Sequence, residues 1–276
     1  MLLTQLLIGA AFAALISFAA SRAHALSRSG ATAAFAVGTL TFGFGGWQLT
    51  VVLLAFFSSS VALGRIGRAR KKTLTDIGKS GARDAWQVLA NGGIATACGV
   101  LVHGWAAQTL SVTFFCAFAG AYAAATADTW GTEIGTLFER PPRSILTLRP
   151  IATGLSGGVT LPGTLAEILG AMFLAGVALG SLSTMPKAPG IHVNVTGVLV
   201  AITIAGVLGA LVDSLLGATL QELRRCPACE RSCETNPHDC GTPTRRIRGL
   251  PGFTNDLVNA LATLAGAVVG FALAPR

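Results

Sequence analysis

Apolar positions in this chain come in long unbroken blocks, separated by short stretches that hold nearly all of the charge. Alternating apolar and polar residues, the mark of a half-buried strand, are absent from those blocks, and their length predicts helices that cross a bilayer. Eight spans are expected, at about 2–20, 31–46, 48–64, 86–102, 111–128, 158–181, 195–217 and 257–274. The second and third are shorter than the roughly 20 residues that a perpendicular helix needs. The uncharged, glycine-bearing stretch GTLTFGFGGWQLTVVLL at 38–54 therefore predicts a tight hairpin or a re-entrant pair. The fold class that follows is all-α: a polytopic integral membrane helix bundle, a single membrane domain over 1–276. Between the last two spans, a Cys/His-rich loop is inserted at 219–256.

Composition agrees. The chain is 52% hydrophobic with a mean hydropathy of +0.64. Its charged fraction is 12%, about half the ~25% of a soluble domain. The lipid bilayer is the implied partner, and nucleic acid is not. Ala23–Ala25 resembles a signal-peptidase site, but MLLTQLL has no basic residue before the first apolar block, and that block is read as a retained span.

Charge then sets the expected orientation. If the first span runs inward, all but Lys187 and Arg276 of the 20 basic residues fall in inside loops. The expectation is a multi-pass protein, in the plasma membrane if bacterial, with basic loops facing the cytoplasm and both termini on the opposite side. An odd number of spans would break this partition.

With that orientation, polar residues inside the spans gather at one level. Asp128 ends the fifth span in ATADTWGTEIG, with Glu133 five residues on, and Asp213 ends the seventh in LVDSLLGATLQ. Gln87 and Asn91 open the fourth; Asn255, Asp256 and Asn259 open the eighth. Ionisable groups at membrane depth cost a few kcal/mol and so face a partner, a cavity or a ligand. Gly206, Ala210, Asp213, Gly217 and Gln221 make one stripe of small and polar residues, the expected packed face. Asp128 and Glu133 are roughly 140° apart on a straight helix, so either a break at Gly131 or Gly135 brings them together or they serve separate partners. The outer halves of the spans read as apolar apart from Glu167 in the sixth. Carboxylates beside basic residues suit Mg²⁺ shared with phosphates. Arg140, Arg143 and Arg149 precede the turn Gly154–Thr160, whose Ser156, Gly157 and Gly158 would expose backbone N–H groups to an anion.

Other signals fail. Gly78-Lys79-Ser80 resembles the tail of a phosphate-binding loop, but Thr73 stands where its first glycine belongs. Cys98 and Cys116 lie inside spans and are expected to pack as small apolar residues. In the loop, Cys226-x2-Cys229 followed by His238-x-Cys240 can supply four zinc ligands, with Cys233 spare or substituting. Disulfides are disfavoured in the reducing cytoplasm.

Five stretches carry a family resemblance: GARDAWQVLANGG, ATADTWGTEIG, RPIATGLSGGVTLPGTLAEILGA, LVDSLLGATLQ and TNDLVNALATL. The chain resembles the ninety-second domain-of-unknown-function family of polytopic membrane proteins, which includes the plant phytyl-phosphate kinase of vitamin E synthesis. The resemblance implies a kinase that carries a phosphoryl group from a nucleoside triphosphate to an isoprenoid monophosphate. Asp128, Glu133 and Asp213 would then be catalytic and hold Mg²⁺. Arg83, Arg143 and Arg149 would hold phosphates, with Gln87, Asn91, Ser156, Gly157, Gly158, Asn255, Asp256 and Asn259 completing the pocket. Two rival readings stand beside it: a transporter or flippase for an anionic lipid or small ion, and a non-enzymatic scaffold.

Overall fold

The computed structural model describes residues 2–67, 81–104, 108–185 and 193–275. Arg68, Arg70, Lys71, Lys72, Gly78, Lys79, Ser80 and Lys187 lie outside the described residues. Among those described, the helices are α1 (Leu2–Arg22), α2 (Arg28–Arg65), α3 (Ala85–Gly104), α4 (Gln108–Gly135), α5 (Leu161–Ser183), α6 (Val195–Thr219) and α7 (Asn255–Leu273). Six of the helical segments are long and apolar enough to cross a membrane.

The second and third apolar blocks are the two halves of α2, joined where Gly46 leaves helical geometry at φ 62°, ψ −158°. That positive φ favours glycine. The chain reverses there. Gly30, near the start of α2, lies under the Arg83 carbonyl, and Gly64, near its end, faces the Glu133 carboxyl. The first half runs antiparallel to α1, with Ala13 on Gly38 and Leu6 on Gly43. The second returns: Gln48 carbonyl accepts from Ser181 Oγ at the far end of α5, and Trp130 Nε1 donates to Ser59 Oγ at 3.3 Å. Each half is about 27 Å long at 1.5 Å per residue, close to the thickness of the hydrocarbon layer.

α4 is the centre of the bundle and touches α2, α3, α5, α6 and α7. Its run Phe115–Ala127 is buried throughout. The cause is in the sequence FCAFAGAYAAATA. Lipid gives no hydrophobic drive to join helices, so association depends on close van der Waals approach, which small residues permit. A Cβ on Gly120 would lie 2.5 Å from the Gly266 carbonyl of α7; on Gly209 of α6, 2.3 Å from Ala124 Cβ. On Gly206 it would lie 2.7 Å from Ala171 Cβ of α5.

Helix starts are capped. Thr160 Oγ1 accepts from Gly163 N at 3.0 Å, and Asn194 Oδ1 from Gly197 N at 2.8 Å. Asp84 and Gln87 cap α3 reciprocally, at 3.0 and 3.1 Å.

The loops that hold the described basic residues meet at one end of the bundle, called here the basic end. β1 (Arg143–Ser144) pairs antiparallel with β2 (Gly158–Val159). The stretch between α6 and α7 folds as a three-stranded sheet in the order β4-β3-β5, from β3 (Leu223–Arg225), β4 (Ser232–Cys233) and β5 (Arg245–Arg248). It is tied back to the bundle: Arg248 Nη2 donates to Gly217 carbonyl at 2.8 Å, and Leu250 N to Leu220 carbonyl at 2.9 Å.

Candidate functional site

Six carboxylates lie close to one another at the basic end, delivered by four helices and the loop. Asp128 comes from the last third of α4 and Asp213 from the end of α6; their carboxyl groups are within hydrogen-bonding reach of each other. Asp213 Oδ2 is buried with no hydrogen-bond partner. Two carboxylates so placed repel unless a proton or a cation lies between them. Among the described residues no three carboxylates bring ligand atoms within 4.8 Å of one another. The acids therefore offer a paired, hard-oxygen donor set, and one or two carboxylates are what Mg²⁺ takes from a protein when phosphates supply the rest.

Glu167 corrects the sequence reading. It was expected in the outer half of its span, but α5 begins only at Leu161, so Glu167 lies in the second turn from the basic end. There it interacts with both Asp128 and Asp213. Gly131 makes the room, since a Cβ at that position would lie 2.5 Å from Glu167 Cγ.

Of the two arrangements left open for Asp128 and Glu133, the structure adopts separate partners. α4 continues to Gly135 without a break. Asp128 meets Asp213 and Glu133 meets Arg83, while the charge of Glu133 also reaches Asp128.

Arg83 is held by its backbone, whose N–H donates to Ala25 carbonyl at 3.1 Å and whose carbonyl accepts from Ser27 N at 2.9 Å. Burial pulls its guanidinium below the usual value, and Glu133 opposes that shift. Gln87 Oε1 is used in the α3 cap, and Asn91 Nδ2 donates to Gln87 carbonyl at 2.9 Å. Arg83, Gln87 and Asn91 all line the mouth of an apolar groove.

The fifth acid, Glu234, reaches in from the Cys-rich loop. Its Oε1 accepts from Ser156 Oγ at 2.9 Å and from Gln221 Nε2 at 2.7 Å. Asp213, Arg248 and Asp256 are its charged neighbours. Burial raises its carboxyl above the ordinary range, opposed by the Ser156 hydrogen bond and Arg248. Nothing in the residue spacing singled out Glu234, and Glu167 was noticed only as an isolated acid within a span.

The remaining predicted residues divide. Asn255, Asp256 and Asn259 are half-buried in the first turns of α7, and Asp256 is part of the acid group around Glu234. Arg143 and Arg149 lie exposed on the loop after α4, where Arg143 Nη1 donates to Leu148 carbonyl at 2.8 Å. Gly157, at φ +83°, is pressed on α6: a Cβ there would lie 2.4 Å from Ala218 Cβ. Gly158 pairs with Ser144 in the β1–β2 ladder. The glycines of this turn thus bring it against α6, with Ser156 aimed at Glu234.

Above the acids, Cys226, Cys229, His238 and Cys240 place four ligand atoms within 4.8 Å of one another. His238 Nδ1 is 3.1 Å from Cys240 Sγ, and Cys229 N donates to Cys226 Sγ at 3.5 Å. The Thr242 hydroxyl and the His238 ring draw the Cys240 thiol down to about 6, while the hydrogen bond with Cys240 pushes the Cys229 thiol up to about 11. Thiolate is the metal-binding form, and Cys₃His is a usual structural zinc set. Cys233 stands apart, its Sγ facing Thr235 carbonyl at 3.7 Å.

Comparison with known proteins assigns the family. The pattern of the integral membrane protein family DUF92 matches residues 11–267, and the chain belongs to that family. It is 30% identical to Protein PGR of Arabidopsis thaliana, over 94% of this chain and 93% of that one. An uncharacterised membrane protein of Methanocaldococcus jannaschii is 27% identical, with 97% and 94% covered. Protein VTE6, chloroplastic, of Arabidopsis thaliana is 27% identical over 71% of this chain and 57% of its own length. No solved structure matches.

Proposed function

We propose that this DUF92 member is a membrane kinase that converts an isoprenoid monophosphate to its diphosphate at the basic end of the bundle, facing the cytoplasm. The observation that carries the reading is the half-buried Asp128–Asp213 pair, with the buried Asp213 Oδ2 unpartnered. The resemblance of the five motifs to the family, which includes the plant phytyl-phosphate kinase of vitamin E synthesis, supplies the reaction class.

The chemistry asks little of the protein beyond placement and charge. A phosphate monoester is largely dianionic at pH 7 and needs no general base. One of its oxygens attacks the γ-phosphorus of the nucleotide. A P–O bond forms as the bond from that phosphorus to its bridging oxygen breaks, and the nucleoside diphosphate leaves with the electron pair. Asp128 and Asp213 would hold Mg²⁺, which neutralises the crowded phosphate charge. Glu167 and Glu133 flank that position, Glu133 also orienting Arg83 towards the acceptor phosphate. Asn91, Asn255, Asp256 and Asn259 line the approach, and Arg143 and Arg149 meet the nucleotide from the exposed loop. The Cys226–Cys229–His238–Cys240 set, closed by zinc, would fix the loop that delivers Glu234.

Purified protein in nanodiscs, given Mg²⁺, a labelled nucleoside triphosphate and geranylgeranyl monophosphate, is expected to yield the diphosphate. Asp128→Asn should insert and fold yet form it about a hundred-fold more slowly or worse. Absence of product with ATP, CTP, GTP and UTP alike overturns the reading; Mg²⁺-independent uptake of the monophosphate into vesicles would instead support a transporter.

A further inference from the structure

We propose that the groove between α1, the α2 hairpin and the start of α3 holds the single apolar chain of a phosphate-headed lipid, with its phosphate at Arg83. This rests on the kinase reading and assigns the tail subsite of the same centre.

The groove is open along one side, and its empty volume of about 880 Å³ includes open solvent. Its walls are Phe12 and Ile16 of α1, Phe42 and Val37 of the first α2 half, and Leu53 and Phe57 of the second. It runs along α1 from Ser17 to Gly9, about 12 Å at 1.5 Å per residue. The Gly46 reversal creates it, because the two α2 halves diverge from a shared turn and α1 closes one side.

Its polarity is one-ended. Arg83, Gln87, Asn91 and Thr129 stand at the mouth, on the side of the acids; at the far end Thr50 spends its hydroxyl on Gly46 carbonyl at 2.8 Å. The mouth is continuous with the site described above. Thr129 adjoins Asp128 in α4, and Arg83 interacts with Glu133. A cation and amides at the water-facing end of an apolar slot match an anionic head on an apolar chain. Thr50 then limits chain length, because its side chain lies where the slot ends.

The test is binding of radiolabelled monophosphates to the full chain in detergent, with no nucleotide present. Thr50→Phe shortens the slot. It is expected to weaken farnesyl monophosphate about ten-fold or more, the scale of methylene discrimination in apolar pockets, and to leave geranyl monophosphate within about two-fold. Phe42→Ala lengthens the slot and is expected to favour geranylgeranyl over farnesyl monophosphate. Unchanged chain-length preference in Thr50→Phe overturns the proposal, as does equal competition by dioleoyl phosphatidic acid. Should Thr50→Phe lose both ligands, Phe42→Ala decides, and no shift to the longer chain overturns it. The two readings fail separately. Binding as described without diphosphate formation sinks the kinase and keeps the slot; diphosphate formation indifferent to both variants sinks the slot alone.

Discussion

Ser156, in the turn before α5, donates a 2.9 Å hydrogen bond to Glu234, in the Cys-rich loop between α6 and α7. Seventy-eight residues separate them in sequence. Through this contact the loop becomes part of the membrane site, because Glu234 is in turn a neighbour of Asp213. Glu234→Ala leaves Gln221 Nε2 and Ser156 Oγ without their acceptor, a loss of about 1–3 kcal/mol. Ser156→Ala removes a single donor and should cost about 1 kcal/mol. Thermal unfolding in detergent, with limited proteolysis of 220–254, is expected to rank Glu234→Ala below Ser156→Ala and both below wild type.

The cysteines give a stoichiometric prediction. Protein purified without chelator should carry one zinc per chain by elemental analysis. Cys229→Ser and Cys240→Ser are each expected to lose it, whereas Cys233→Ser, whose thiol stands outside the set, should keep it. Chelation should open the loop to protease faster than it unfolds the helices, since the sheet has little apolar core of its own.

Gly157 tests the role of the turn. Ala at this position meets Ala218 at 2.4 Å and must adopt φ +83°, which together should destabilise by about 1–3 kcal/mol. The loss is expected in thermal stability with any tested ligand absent. A Gly157→Ala protein of unchanged melting temperature would mean that the turn does not press on α6.

The acids should separate by partner. Asp128→Asn and Asp213→Asn are expected to lower the rate of diphosphate formation by about two orders of magnitude or more, the cost of losing a preorganised charge contact. Glu133→Gln should act chiefly through Arg83 and raise the KM for the monophosphate more than it lowers kcat. Steady-state kinetics over both substrates distinguishes the two patterns; equal effects from all three would contradict the separate partnerships.

Much of the fold was legible because a bilayer imposes simple demands. Long apolar blocks must be helices, since lipid cannot satisfy backbone N–H and C=O groups. The short second and third blocks, with glycines between, announced a reversal, and the structure places it at Gly46. Cys226-x2-Cys229 and His238-x-Cys240 stand close enough in sequence for a local loop to gather them. Glu167 was misplaced although the expected span 158–181 enters from the basic side, which already puts residue 167 in its basic half; the later start at Leu161 brings it nearer still. Helix starts are governed by caps such as Thr160, which hydropathy does not see.

What the sequence alone determined is the class of environment: membrane depth, helical spans, a basic side and a layer of acids belonging to it. Local composition decides these, because transfer of each side chain between water and lipid depends on that side chain by itself. Which acid meets which was decided only by tertiary packing. Asp128 faces Asp213 because Gly206 and Gly209 let α6 lie flush on Ala123 and Ala124 of α4. Glu234 joins them because the loop folds back on Gly217 through Arg248. Such pairings depend on distances between elements far apart in the chain, and no residue spacing encodes them.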